Sequence, residues 1–115
     1  FGARVIGTRT EAAVSAHALV DMLALHAPGM DAVVIGLSLD TGLWAAREML
    51  SVPVVGMTEA ACLLACTMGS RFGMVVMGAR GLSPYREIVE GYGLASRLAG
   101  IRALDTTPQK TGPRR

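Results

Sequence analysis

Three short apolar runs recur roughly every twenty residues: Asp31 to Leu37, Val52 to Met57 and Phe72 to Met77. Each is too short for a helix and rich in β-branched or apolar side chains. Continuous runs of this kind read as strands buried on both faces, the habit of parallel sheets. The segments between them carry helix signals. Thr8-Arg9-Thr10-Glu11 matches the capping box, a hydroxyl followed three residues later by Glu. A helix is expected to follow it, with apolar Val14, Leu19, Val20, Leu23 and Leu25, and to end at Pro28-Gly29. Leu43 to Leu50 makes a second helix. Thr58 is positioned to cap a third over Glu59 to Met68, closed by Gly69. Ser83-Pro84 opens a fourth, which weakens at Gly91 and Gly93 and stops at Gly100. Short strands are expected at Ala3 to Ile6 and Ile101 to Leu104, with a polar tail from residue 106 to 115. The pattern predicts an α/β fold, a parallel sheet with crossover helices.

Composition limits what such a chain does. Apolar residues make up 51% of the 115, charged residues 17% and aromatic residues 4%, which excludes disorder over most of the length. A net charge of +2, partly placed on Lys110, Arg114 and Arg115, argues against a nucleic-acid partner. No run of 18 uncharged apolar residues suggests a membrane span. The opening Phe1-Gly2-Ala3-Arg4 is no signal peptide and has no initiator Met, so residues are expected upstream. Cys62 and Cys66 share one helical face, without further ligands at metal-binding spacing, and read as small buried hydrophobes. With no disulfide framework, a reducing, cytoplasmic location is expected.

In open sheets of this class ligands bind beyond the carboxyl ends of the strands. That rule selects three loops: Ser38 to Gly42, Met57 to Glu59 and Gly78 to Gly81. The first offers Ser38, Asp40 and Thr41 ahead of a helix whose first N–H groups favour an anion, although Asp40 or Thr41 capping that helix explains them equally. Thr58 and Glu59 repeat the device, again with capping as the plainer role. Gly78 and Gly81 permit close backbone approach, and Arg80 is suited either to a carboxylate or to an ordinary surface turn. Neither a Walker loop nor G-x-G-x-x-G is present. His17 and His26 point to opposite faces of the first helix and read as surface residues, Trp44 and Tyr85 as packing residues. The methionines Met22, Met30, Met49, Met57, Met68, Met74 and Met77 read as core gap-fillers.

From Asp31 to Met77 the sequence resembles the aspartate/glutamate/hydantoin racemase superfamily, in particular its hydantoin racemase branch. Three features carry the resemblance: an apolar strand running into the D-x-G-L turn Asp40 to Leu43 and the A-A-R-E helix Ala45 to Glu48, then S-V-P-V-V-G-M-T-E-A-A from Ser51, then R-F-G-M-V-V from Arg71. Leu82 to Asp105 also resembles members carrying racemase or hydrogenase-expression labels. The resemblance implies two similar α/β lobes with the site between them. Residues 1–70 would form most of one lobe and 71–105 the start of the other. It also implies proton transfer by one cysteine from each lobe, with no cofactor, on a small amino-acid-derived carboxylate or hydantoin, in a protein that associates into homo-oligomers. Such chemistry needs a base of tuned strength and donors that stabilise a carbanion.

Here the chain departs from the family pattern. The family's first cysteine stands three residues before the Asp of the D-x-G turn, where this chain has Leu37 beside Ser38. Leucine cannot abstract a proton, and a serine hydroxyl is a far weaker acid than a thiol. Cys62 and Cys66 match neither catalytic position, and the second cysteine would fall beyond residue 115. The expectation is therefore a racemase-like fragment with no catalytic residue of its own. Ser38, Asp40 and Thr41 would shape the site, Thr58 and Glu59 would position substrate, and the turn at Gly78 would hold its carboxylate. Three parents fit: an isomerase or lyase using only the second cysteine, a non-catalytic ligand-binding or hydrogenase-maturation accessory protein, or the product of a truncated or frameshifted gene.

Overall fold

The α1 helix, Arg9–His26, begins where the local chemistry places it. Thr8 Oγ1 accepts the Glu11 N–H at 3.2 Å, and the Glu11 carboxylate accepts the N–H of Thr8 at 2.9 Å and of Gly7 at 2.6 Å. The helix ends before Pro28, and Gly29 turns the chain with a φ of 86°. These residues belong to a computed structural model that describes residues 7–105. The expected strand at Ala3 to Ile6 and the polar tail from residue 106 lie outside the described residues.

The remaining elements alternate in chain order: β1 Val33–Ile35, α2 Leu43–Met49, β2 Val54–Gly56, α3 Met57–Met68, β3 Phe72–Met77, α4 Leu82–Gly91 and β4 Leu98–Leu104. Single 3-10 turns at Ala79–Gly81 and Ala95–Arg97 flank α4, which ends at Gly91 rather than Gly100 because Gly93 turns the chain with a φ of 75°, and β4 starts at Leu98 rather than Ile101. Strands β1 and β2 pair in parallel, with Val33 opposite Val54 and Ile35 opposite Gly56. Strands β3 and β4 form a second parallel pair, from Phe72 opposite Leu98 to Met77 opposite Leu104, with a register shift after Phe72. Helix α2 connects the first pair and α4 the second, so the parallel βα organisation read from the sequence holds. The chain divides into two units, residues 1–60 and 61–115.

In the first unit α1 contributes a stripe at four-residue spacing. Ser15, Leu23 and Ala27 are buried along it, and Leu19 is half-buried. Leu19 lies against Gly42, where an added Cβ would stand 2.7 Å from its Cδ2. Ile35, Leu43, Ala46 and Val54 complete this core. In the second unit Val76 and Val89 are buried, and the Tyr85 ring lies against Gly81.

Burial on both faces of the strands was expected, and the structure corrects this. Val34 and Val75 are each 68% exposed, and Val55, directly opposite Val34, is exposed with it. Successive strand residues face opposite sides, and helices cover only one side of each two-stranded sheet. The methionines correct a second expectation. Met22, Met30, Met49, Met57, Met68 and Met77 are exposed rather than core-filling, and only Met74 is half-buried. Trp44 is likewise 61% exposed rather than packed inside. No helix among the described residues is long and apolar enough to cross a membrane.

Candidate functional site

Because β1 and β2 are parallel and Ile35 pairs with Gly56, their carboxyl ends lie side by side. The loop from Gly36 to Gly42 and the first turn of α3 therefore leave the sheet at one edge. Five of the six residues singled out from the sequence meet there: Ser38, Asp40, Thr41, Thr58 and Glu59. Gly78 belongs to the second unit. It follows β3 with a φ of 83°, and its N–H donates to the Leu104 carbonyl at 3.1 Å.

Asp40 organises the cluster. It is 5% exposed and has a φ of 49°, a left-handed conformation that Asp tolerates better than most residues. Its N–H donates to the Leu37 carbonyl at 2.9 Å, and its own carbonyl accepts from Leu43 at 3.1 Å, so the loop is a tight turn. One carboxylate oxygen accepts the Thr58 N–H at 2.9 Å and the other the Glu59 N–H at 2.7 Å. Both donors belong to the first turn of α3, where backbone N–H groups have no partner within the helix. The carboxylate is thus a cap delivered from another segment of the chain. Local reading placed Asp40 or Thr41 as the cap of α2. Instead Gly42 stands there, with a φ of 76° and no side-chain cap. Thr58, expected to cap α3, lies inside it, because the helix begins at Met57.

Thr58 ties the loop a second time. Its buried hydroxyl donates to the backbone carbonyl of Ser38. Ser38 is exposed, and Leu37 is half-buried. The Thr41 hydroxyl is buried and has no hydrogen-bond partner among the described residues.

Two residues not singled out from the sequence complete the geometry. Arg47 of α2 donates through Nε and one terminal nitrogen to the Val54 carbonyl, at 3.1 and 3.0 Å. Its two terminal nitrogens also meet the Glu59 carboxylate at 2.7 and 3.3 Å, the bidentate fork that guanidinium favours. Trp44 lies over this guanidinium, 5.0 Å from ring centroid to Cζ. The signal for Arg47 was present, since a helix placing Arg beside the end of the next strand suits such a bridge. Gly56 is the other. A Cβ there would stand 2.8 Å from Cγ of Asp40, so only glycine leaves room for the carboxylate.

The sulfur and imidazole groups lie on two helices. Cys62 is buried and Cys66 half-buried on α3, and His17 and His26 are exposed on α1. No three His, Cys, Asp or Glu side chains among the described residues gather as a metal site.

Parallel βα units whose carboxyl-end loops carry clustered hydroxyls and carboxylates define an α/β protein of the class that builds its site beyond the strand ends. Within that class, the chain belongs to the Asp/Glu/hydantoin racemase family, whose description matches residues 1–114. It is 40% identical over 80 residues to the hydantoin racemase of Pseudomonas sp. (strain NS671), covering 70% of this chain and 31% of that protein. It is 33% identical over 103 residues to the hydantoin racemase of Rhizobium meliloti, covering 90% of this chain and 43% of that one. Among solved structures, allantoin racemase from Klebsiella pneumoniae superposes with a TM-score of 0.88 at 31% identity, over 93% of this chain and 44% of that chain. Allantoin racemase from Pseudomonas fluorescens gives 0.88 at 29% identity, over 93% and 46%. The chain therefore spans less than half the length of each of these relatives.

Proposed function

We propose that this chain carries a ligand-binding half-site for a hydantoin or related cyclic ureide, and that it holds the ligand without itself removing a proton. The observation that carries this reading is how the charged groups of the cluster are already used. The Asp40 carboxylate occupies the donors at the start of α3, and the Arg47 guanidinium is engaged by Glu59 and the Val54 carbonyl. A ligand bearing a carboxylate would have to displace one of these contacts. A neutral ureide ring needs only hydrogen-bond donors and acceptors, which an exposed Ser38 beside the strand end supplies. The relatives act, by their names, on hydantoins and on allantoin, which favours the same choice over free aspartate or glutamate.

In this half-site Ser38 bonds the ring, Thr41 and Thr58 shape the loop behind it, and Glu59 holds Arg47 in place. Leu37 stands where a base would be needed, and an alkyl side chain has no proton-accepting group.

The test is a titration with 5-substituted hydantoins, allantoin, aspartate and glutamate, followed by amide chemical shifts. Shifts at 36–42 and 58–59 with the ureides, and none with the amino acids, are expected. Proton–deuterium exchange at C5 of the bound hydantoin should match the buffer rate in the native chain and rise in Leu37→Cys. Binding of aspartate at these amides, or accelerated exchange by the native chain, would overturn the reading.

A further inference from the structure

We infer that Asp40 is a positioning residue, whose carboxylate acts as an internal anion on the start of α3 and thereby sets where Ser38 and Thr41 stand. Three independent features converge on it. Both carboxylate oxygens are used, at 2.9 and 2.7 Å, on consecutive N–H groups of the first helical turn, where the helix dipole favours negative charge. The residue has a left-handed conformation, at a φ of 49°, within the tight turn that carries its carboxylate to α3. The sheet makes room for the group, because Gly56 offers no Cβ to meet Cγ of Asp40 or Cδ2 of Leu43.

The consequence is a coupling between two segments that are 18 residues apart in the chain. The Asp40 contacts and the Thr58 hydroxyl bond to the Ser38 carbonyl close a ring of hydrogen bonds between the 37–42 loop and α3. Leu37 and Ser38 are carried on that loop, so their place follows the carboxylate rather than the strand alone. This rests on the loop being the ligand site only for its effect on binding, since the coupling itself is a property of the free chain.

The experiment uses Asp40→Gly, which keeps the left-handed turn accessible and removes the whole side chain with its carboxylate, together with Asp40→Asn. Sodium formate serves as a replacement anion and is compared with sodium chloride at equal ionic strength. In Asp40→Gly the amide signals of Thr58 and Glu59 should move upfield and those of 37–42 should broaden, while the β3 and β4 signals stay in place. Tm should fall by on the order of 10 °C. Formate should recover at least half of that loss and return the Thr58 and Glu59 signals toward their native positions. Asp40→Asn, whose side chain still fills the seat, should lose less and not respond to formate. Val89→Ala, destabilised in the other unit, should show no formate-specific recovery. If Asp40→Gly does not fold in chloride, the folded fraction regained in formate is the readout.

Recovery no greater in formate than in chloride would overturn the inference, as would an unperturbed 37–42 loop in Asp40→Gly. For the native chain and Asp40→Gly, affinity for 5-methylhydantoin adds the functional arm. A roughly tenfold loss that formate reverses is expected, and an unchanged affinity would remove the positioning role. Failure of the native chain to bind the hydantoin would instead sink the ligand reading, with the coupling still decided by the amide signals and Tm.

Discussion

Gly56 and Asp40 fit one another across the carboxyl edge of the first sheet: a Cβ on Gly56 would lie 2.8 Å from the Asp40 Cγ and 2.9 Å from its Oδ2. The same Cβ would meet Leu43 Cδ2 at 3.0 Å, so the space is closed from two sides. Gly56 is buried and its strand partner Ile35 is fixed, which leaves no free direction for the backbone to yield.

Gly56→Ala should therefore destabilise the chain by about 1–3 kcal/mol, the usual cost of forcing extra volume into a packed site. The carboxylate is the softer neighbour and should move first, lengthening its bonds to Thr58 and Glu59. Urea denaturation measures the loss, and the two amide shifts report the displacement. A neutral substitution with unmoved amides would show that the pocket is looser than the geometry implies.

Thr41 makes the opposite case. Its hydroxyl is buried without a partner among the described residues, and the residue is only 7% exposed. An unbonded buried hydroxyl costs free energy that an isosteric methyl does not. Thr41→Val should raise stability by about 1 kcal/mol, read as a higher urea midpoint at unchanged slope. A loss of stability would mean that the hydroxyl has a partner, such as an ordered water.

How much of this the sequence discloses depends on distance along the chain. The Thr8–Glu11 cap lies within four residues and is readable as a motif; the structure repeats it atom for atom. Strand β3 was likewise placed at Phe72 to Met77, because its composition and its flanking turns agree. The Asp40 cap on α3 was not legible. An Asp two residues before Gly42 and a new helix looks like the start of that helix, and nothing local points 18 residues ahead. Thr58 misled for the same reason, since a hydroxyl after a strand resembles a cap even where the helix has already begun. Exposure misled most. A run such as Val33 to Ile35 reads as buried on both faces only when both faces find cover, and composition does not say how many neighbours a strand will have.

Arg47 links three elements through one side chain, and its loss should be felt at each. The guanidinium is partly solvent-accessible, at 31% against 18% for its partner Glu59, which moderates the electrostatic gain. The two bonds to the Val54 carbonyl are added to it, so Arg47→Met should cost about 1–2 kcal/mol. Trp44 is the sole tryptophan, and its ring lies against this group. A change in its emission should accompany the substitution and distinguish local loss from global unfolding. Arg47→Lys should recover little, because an ammonium cannot fork between a carbonyl and a carboxylate.

Arg97 performs the converse task at the other end of α3. Its Nε donates to the Ser70 carbonyl at 2.6 Å, and one terminal nitrogen donates to those of Cys66 and Gly69 at 2.9 and 3.0 Å. The Cys66 carbonyl lies in the last turn of α3, where carbonyls lack partners inside the helix and form its negative end, and those of Gly69 and Ser70 follow it, so one cation serves the helix end and the turn after it. The contact also ties the turn before β4 to the turn before β3, the two parallel strands of this unit. Arg97→Ala should cost about 1 kcal/mol, less than a buried bond would, because the site is open to water. The loss should be uneven. Amide exchange should quicken over the last turn of α3 and the start of β4, while Val76 and Val89 keep their protection. Uniform acceleration would assign Arg97 a global role, and unchanged exchange would show that water serves those carbonyls equally well.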